Sequence, residues 1–140
     1  MTNLNFTISE LVYSDTAKKY NINNMPDLKT IDNLLKLIFF CLQPIRNRLK
    51  KPMIISSGYR CNTLNKIVGG VSNSGHLNGT SADFIVKGMQ IEEIYQIIKN
   101  SDIKYTQLIQ EKGQWIHIQY NSSNLKCENL RYDGKKYVKD

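Results

Sequence analysis

The chain contains two histidines, and both are placed so that they can bind one metal ion together with a nearby carboxylate. His76 and Asp83 lie seven residues apart in a run of small and polar residues, and His117 follows Trp115 in a later apolar stretch. Two imidazoles and one carboxylate occupy three corners of a tetrahedral zinc site and leave the fourth corner for water. A fold that uses all three side chains must bring distant segments of the chain to one point.

The segment around His117 has the pattern of a β-hairpin. Residues 107–111 and 114–120 are predicted strands, joined by a tight turn around Lys112 and Gly113. If the turn comprises residues 112–114, Glu111 lies opposite Trp115, and the alternation of strand side chains places residues 111, 115 and 117 on one face. A diagonal cross-strand pair is roughly 7 Å apart at Cβ. We therefore expect the Glu111 carboxylate to reach a water beside a metal ion held by His117.

The remaining patterns predict helices before and between further strands. Apolar residues recur at three- and four-residue spacing from residue 27 to about residue 49, which is typical of an amphipathic helix that Pro44 should kink or interrupt. A shorter helix near the start is predicted with Ser9 or Ser14 as its cap. The other predicted elements are an apolar strand that runs into a small-residue turn within 52–60, strands at 81–86 and 130–132, and helices at 61–68 and 91–99. These elements predict an α+β fold.

Length and charge limit the classes of protein that fit. A chain of 140 residues is long enough for one modest core, so we expect a single domain over residues 1–140. The formal net charge of +7, from 19 Lys and Arg against 12 Asp and Glu, favours polyanionic surroundings such as nucleic acid, a teichoic-acid-bearing wall or an anionic membrane surface. The basic clusters at 46–51 and 131–139 do not interleave with aromatic residues as nucleic-acid motifs do. We expect ordinary solvated surface there, with no nucleic-acid partner.

Cysteine usage and hydropathy bear on where the chain is made. Cys41, Cys61 and Cys127 are an odd number of widely separated cysteines without a CxxC pair, so neither a disulfide framework nor a cysteine zinc site is expected. The N-terminus lacks a basic segment followed by an apolar run, and the longest apolar stretch, at 34–42, is too short to span a membrane. These features predict a soluble protein that is synthesised in the cytoplasm without a signal peptide and does not insert into membranes.

Four blocks of sequence resemble a known family. They are residues 6–11 (FTISEL), 56–65 (SSGYRCNTLN), 74–83 (SGHLNGTSAD) and 115–118 (WIHI). Their order and spacing are similar to those of the zinc D-alanyl-D-alanine carboxypeptidase family. The resemblance is to its compact single-domain branch, which is common in phage endolysins and includes L-alanyl-D-glutamate endopeptidases. It covers nearly the whole chain.

The resemblance implies a fold and a metal. The expected fold is the Hedgehog and D-Ala-D-Ala-peptidase type, a small antiparallel sheet with helices packed on one side. By the same resemblance His76, Asp83 and His117 hold Zn²⁺. The implied substrate is peptidoglycan, and we expect a monomer.

Further residues acquire roles from the same resemblance. Arg60 matches the family arginine that engages a substrate carbonyl or carboxylate and stabilises the developing oxyanion. Ser74 matches a serine that helps to hold substrate near the metal, although a turn residue that satisfies local backbone groups is an equal alternative. Trp115 and Tyr59 are candidate walls of the substrate pocket.

One position departs from the family pattern. Several members place the general base three residues before the last histidine, and that residue here is Gln114, whose amide is not a useful proton acceptor. Glu111 is the candidate that replaces it, and the hairpin geometry supports this choice. The alternative is a zinc-binding but catalytically inactive Hedgehog-type module of the cell wall.

The leading hypothesis is a zinc peptidase that hydrolyses peptidoglycan stem peptides at a bond involving a D-amino acid. The sequence leaves open whether it is a carboxypeptidase or an endopeptidase. It would act on the cell wall, which it would reach through a membrane-permeabilising partner such as a phage holin. A third hypothesis, a basic nucleic-acid binder, depends only on the net charge and the two basic clusters.

Overall fold

The computed structural model describes residues 4–140 and begins with two short helices. Helix α1 spans Ile8–Val12 and helix α2 spans Asp15–Lys19. The Ser14 hydroxyl accepts a hydrogen bond from the Ala17 backbone N–H, so the predicted cap at Ser14 is confirmed. Ser9 is not a cap, because Thr7 occupies that position and its hydroxyl accepts from the Glu10 N–H at 3.1 Å.

The predicted long helix is present and is interrupted as expected. Helix α3 (Leu28–Leu37) continues through a π-helical turn (Ile38–Leu42) into helix α4 (Gln43–Leu49). Pro44 lies in the first turn of α4 and has no N–H to donate to the preceding turn, which accounts for the change of helical hydrogen bonding there. Among the helices of residues 4–140, none is long and apolar enough to cross a membrane.

Six strands form one sheet in the order β1-β2-β4-β3-β5-β6. The first four strands are β1 (Met53–Ser57), β2 (Ser81–Val86), β3 (Gln107–Glu111) and β4 (Trp115–Gln119). Strands β5 (Glu128–Tyr132) and β6 (Tyr137–Lys139) complete the sheet. All neighbouring strands are antiparallel except β3 and β5, which are parallel. The predicted α+β class with a mostly antiparallel sheet is thus confirmed.

The two faces of the sheet have different environments. Ala82 and Phe84 of β2 and Ile116 and Ile118 of β4 are fully buried on one face. Helix α5 (Asn62–Ile67) follows β1, where a helix is predicted. The buried face joins a core with side chains from α1, from the run α3 to α4, and from helix α6 (Ile91–Lys99), which include Leu11, Leu34, Leu42, Ile45, Ile94 and Ile98. Because strand side chains alternate, the opposite face carries Asp83 and His117 and is free to form a polar site.

The last two strands are fixed to α6. Arg131 of β5 donates to Glu92 Oε2 at 2.9 Å, and its guanidinium lies 4.7 Å from the centre of the Tyr95 ring. The Asp140 carboxylate accepts from the Tyr95 hydroxyl at 2.8 Å and from Lys99 Nζ at 3.0 Å. The strand predicted at 130–132 is therefore real, but it is longer than expected and is followed by another.

Candidate metal centre

His76 is held both through its backbone and through its ring. It lies in a 3₁₀ helix (Gly75–Asn78) that follows Ser74, whose hydroxyl accepts from the His76 backbone N–H at 3.1 Å. Its Nδ1 is 2.6 Å from the Gly58 carbonyl oxygen. Since a carbonyl only accepts, Nδ1 carries the hydrogen, and the lone pair of Nε2 is available to a metal ion. The loop directly after β1 and the 3₁₀ helix before β2 thus orient this imidazole.

Asp83 and His117 meet because β2 and β4 pair directly at these two residues. Asp83 Oδ1 lies 2.8 Å from His117 Nδ1, and Asp83 Oδ2 lies 3.3 Å from His76 Nε2. The two imidazole rings are 5.2 Å apart between centres. One potential ligand atom from each of the three residues lies within 4.8 Å of the others, so the three predicted ligands converge on one point.

The electrostatics of Asp83 suit a cation. Burial alone would raise the pKa of this carboxyl, but hydrogen bonds and charge interactions with His117 and His76 outweigh it and hold the pKa well below its usual range. A buried carboxylate is costly unless a positive group accompanies it. Donor atoms about 2.1 Å from a tetrahedral zinc ion lie about 3.4 Å from one another. The separations of the Asp83 oxygens from the two imidazole nitrogens, 2.8 and 3.3 Å, are close to that value, and the donor set fits zinc.

Arg60 lies beside this group and retains an unused donor. Its backbone N–H donates to the His76 carbonyl at 3.0 Å, and its Nη2 lies 3.4 Å from Ser74 Oγ. Its Nε is buried and has no hydrogen-bond partner among residues 4–140. Burial lowers the pKa of Arg60, and the nearby Asp83 carboxylate opposes this effect. Arg60 also lines the same cleft as the three candidate ligands, so its guanidinium lies where a bound ligand could accept a hydrogen bond.

Glu111 occupies the position expected from the hairpin. It pairs with Trp115, and Ile109 pairs with His117, so the predicted register is confirmed. Glu111 is 7% exposed, and burial raises the pKa of its carboxyl, with Asp83 adding to the rise and His117 and Lys112 opposing it. Gln114 is exposed at the turn. Of the two candidate base positions, Glu111 is the one on the face of the metal-binding group.

These side chains line one open cleft of about 740 Å³. The predicted site residues that line it are His76, Asp83, His117, Arg60, Glu111, Ser74 and Trp115. Tyr59 is not among the lining residues described, because its side chain packs against the hydrophobic core. Its backbone N–H donates to the Leu11 carbonyl at 2.7 Å, which fixes the chain there. The expectation that Tyr59 forms a pocket wall is therefore not met.

Sequence reasoning missed part of the cleft. Leu130 and Tyr132 of β5 and Tyr137 of β6 line it, although only a short strand at 130–132 and solvated basic surface at 131–139 are predicted there. The alternation of Leu130 and Tyr132 and the Asp133-Gly134 turn before Tyr137 are a hairpin signal that identifies this segment.

Comparison with known proteins assigns the family. A family model described as peptidase M15 matches residues 4–119. The chain belongs to the peptidase M15 family, whose members are zinc-dependent peptidases that act on peptidoglycan-like substrates. The zinc expected from the sequence agrees with this family and with the group formed by His76, Asp83 and His117. Comparison with curated proteins returns no match.

Proposed function

We propose that this protein is a zinc peptidase that hydrolyses a bond involving a D-amino acid in peptidoglycan stem peptides. The observation that carries the proposal is that Glu111 and Arg60 line the same cleft as the three candidate zinc ligands. A site that only retained a metal ion would need neither a buried carboxylate of raised pKa nor a partly buried guanidinium that lines the cleft. A general base and an oxyanion donor beside a metal are the groups that peptide hydrolysis requires.

The metal has one role and the chain supplies the others. Zinc held by His76, Asp83 and His117 would supply Lewis acidity to the scissile carbonyl and to the attacking water. The hydrogen bond from His76 Nδ1 to the Gly58 carbonyl fixes the orientation of that imidazole.

Glu111 is proposed as the group that moves the proton. Its carboxylate would accept a proton from the attacking water and pass it to the nitrogen of the leaving amine. Burial raises its pKa, so the protonated form that is needed for the second transfer is less costly than it is for an exposed glutamate.

Arg60 is proposed as the donor to the carbonyl oxygen as negative charge develops on it. The guanidinium is already partly desolvated and is held near Ser74, so little reorganisation is needed when that charge appears. Ser74 would contribute by holding both the His76 backbone and the Arg60 fork in place.

The alternative is a zinc-binding module without activity, and it depends on the glutamine at position 114. The exposed position of Gln114 and the buried position of Glu111 in the cleft favour the enzyme. We further propose that the enzyme acts as a monomer on the cell wall, where its net charge of +7 complements anionic wall polymers.

The test uses purified protein and purified peptidoglycan fragments. The zinc content is measured first, and the fragments are then incubated with the protein and analysed by mass spectrometry. We expect about one zinc per chain, as a three-ligand site requires, and new peptide termini that vanish with chelator and return with added zinc. Those termini identify the bond and distinguish carboxypeptidase from endopeptidase. Full zinc content without turnover of any fragment would favour the inactive module.

A further inference from the structure

The backbone around Arg60 is held by a side chain from a distant part of the chain. Asn24 Nδ2 donates to the Tyr59 carbonyl at 3.0 Å and to the Val12 carbonyl at 2.9 Å, and its Oδ1 accepts from the Cys61 backbone N–H at 2.8 Å. A primary amide has two N–H donors, and both are used here. Asn24 is only 7% exposed. One buried amide thus contacts the chain immediately before and immediately after Arg60.

Together with one backbone contact, the Asn24 amide fixes the peptide groups on both sides of Arg60. The Tyr59–Arg60 peptide is held at its oxygen by Asn24 and at its nitrogen by the His76 carbonyl, which accepts at 3.0 Å. The Arg60–Cys61 peptide is held at its nitrogen by Asn24. Because peptide groups are planar, two fixed peptides determine φ and ψ of the residue between them. They therefore determine the direction in which the Arg60 side chain leaves the backbone.

The Arg60 side chain is only weakly held by other side chains. Its Nη2 lies 3.4 Å from Ser74 Oγ, which is long for a hydrogen bond, and its Nε is buried without a hydrogen-bond partner among residues 4–140. An arginine side chain has several rotatable bonds, and their freedom is lost when the guanidinium is held in one place. The position of this guanidinium in the cleft therefore depends strongly on the direction set by its backbone.

The segment that carries Asn24 is itself anchored at both ends. It connects α2 to α3, and the Ile22 backbone N–H donates to the Ala17 carbonyl of α2 at 2.8 Å. At the other end, Asp27 caps α3 by accepting from the Thr30 backbone N–H at 2.8 Å. Asn24 is not among the described residues that line the cleft. Its effect on the site must therefore pass through the chain that it contacts.

We propose that Asn24 is a positioning residue for Arg60. By fixing the peptide groups on either side, it directs the Arg60 guanidinium toward the carbonyl oxygen of the scissile bond. It takes no part in proton transfer and acts through Arg60 alone. The inference rests on the proposed peptidase function and adds to it a residue from the connection between α2 and α3.

A second buried amide of the chain offers a matched control. Gln43 is 4% exposed, and its side-chain amide also makes three hydrogen bonds, two with Asn5 and one with Asn47. None of these three residues is among those that line the cleft. Loss of either amide leaves buried polar groups without partners, so Asn24→Ala and Gln43→Ala should both lower the urea midpoint. A difference between the two variants in kcat or at Arg60 therefore reports positioning rather than stability.

The kinetic test compares zinc-loaded wild type, Asn24→Ala and Gln43→Ala, with zinc content measured in each. Misplacement of a catalytic group by about 1 Å can lower kcat about 10²-fold, and we expect a loss of that order in Asn24→Ala alone. KM should change less than about threefold, because Arg60 is proposed to act on charge that develops in the transition state. In an Arg60→Ala background, Asn24→Ala should lower kcat less than about threefold further, since coupled residues are not additive. Equal kcat in Asn24→Ala and Gln43→Ala, or an undiminished effect without the Arg60 side chain, would overturn the proposal.

Hydrogen exchange at the Arg60 Nε–H gives a readout that is independent of activity. In zinc-free protein with isotope-labelled arginine, this buried group should exchange at least about tenfold more slowly than the Nε–H of the exposed Arg48. Asn24→Ala should bring the Arg60 rate close to that of Arg48, and Gln43→Ala should not. Slow exchange that persists in folded Asn24→Ala would show that the guanidinium keeps its position without Asn24, and the proposal would be wrong.

A measurement on the unsubstituted chain covers the case in which Asn24→Ala does not fold. The Cys61 backbone N–H should exchange about 10²-fold more slowly than an unprotected amide, because Asn24 Oδ1 accepts its hydrogen. Exchange at the unprotected rate would show that Asn24 does not hold the chain after Arg60, which also overturns the proposal. Absence of hydrolysis by the wild-type chain contradicts the proposed peptidase itself, and the exchange measurements still decide whether Asn24 positions Arg60.

Discussion

Glu111 and His117 lie diagonally across the β3–β4 hairpin with their side chains on the same face, where both line the cleft. The register that produces this relationship depends on a short turn in which Lys112 and Gly113 both have positive φ, 55° and 69°. A slip of one residue would turn Glu111 toward the core. The hairpin thus determines whether a proton acceptor is present beside the metal-binding group.

Glu111→Gln should stabilise the zinc-free protein at neutral pH. Burial raises the pKa of Glu111 above 4.5, so the folded state binds its proton more tightly than the unfolded state. Folding stability from this group is therefore lost as pH rises through the interval above 4.5, and the uncharged glutamine avoids the loss. Urea unfolding in chelator should give a higher midpoint for the variant at pH 7 and no difference near pH 4. Glu93→Gln on the exposed side of α6 is the control, and a less stable Glu111→Gln protein at pH 7 would show that the carboxylate is favourably paired.

Arg60→Lys should lower turnover without loss of zinc. A lysine keeps the positive charge but lacks the planar fork that lies against Ser74 and faces the cleft. Loss of one oxyanion donor typically lowers kcat about 10²–10³-fold. The measurement is kcat together with zinc content, with Arg48→Lys at an exposed position of α4 as a control. Turnover equal to that of wild type would remove Arg60 from the proposed mechanism.

Gly58→Ala should weaken both the fold and the metal site. A Cβ at this position would lie 2.2 Å from the Leu11 carbonyl oxygen, and the Gly58 carbonyl orients His76. Overpacking of this kind costs about 1–3 kcal/mol, and displacement of the carbonyl should also reduce zinc affinity. Gly88→Ala is the matched control, because its Cβ would meet nothing within 4 Å and only its φ of +85° is unfavourable. Urea unfolding and competition with a zinc chelator measure the two effects, and equal zinc affinity in both variants would refute the role of Gly58.

Glu92→Gln should weaken the attachment of the last two strands to α6 and so lower the free energy of unfolding in a pH-dependent manner. The hydrogen bond to Arg131, followed by that to Gln96, lowers the pKa of Glu92 from 4.5 to about 2. The folded pKa is depressed, so the stability is present above pH 4.5 and is lost as pH falls toward 2. The pair is partly exposed and screened by solvent, which limits the expected loss to about 1 kcal/mol or less at pH 7. Urea unfolding at pH 7 and near pH 2 should show this difference and its disappearance, and a constant difference would contradict the ion-pair explanation.

The parts of the site that follow from local pattern could be predicted. The alternation in residues 107–111 and the turn at Lys112 and Gly113 predict the hairpin. They also predict that the Glu111 side chain lies on the same face of the sheet as His117. The convergence of His76 with Asp83 and His117 was expected from the family resemblance, because no local pattern determines how β2 pairs with β4.

The C-terminal strands were harder to predict for a physical reason. Strand β5 pairs in parallel with β3, and a parallel pairing between distant segments has no connecting turn to mark it in the sequence. Its position depends on tertiary contacts such as Arg131 with Glu92. The location of the Tyr59 side chain was predicted wrongly for a similar reason. The close approach of Gly58 to Leu11 determines where this side chain lies, and the motif around Arg60 does not reveal that contact.

Parallel measurement of zinc content and kcat in wild-type protein and in Glu111→Gln tests whether Glu111 is the proton acceptor of a zinc peptidase. Loss of a general base typically lowers kcat about 10²–10⁴-fold. We expect a loss of this size, with about one zinc per chain retained in both proteins. Turnover by zinc-loaded Glu111→Gln at the wild-type rate would contradict it.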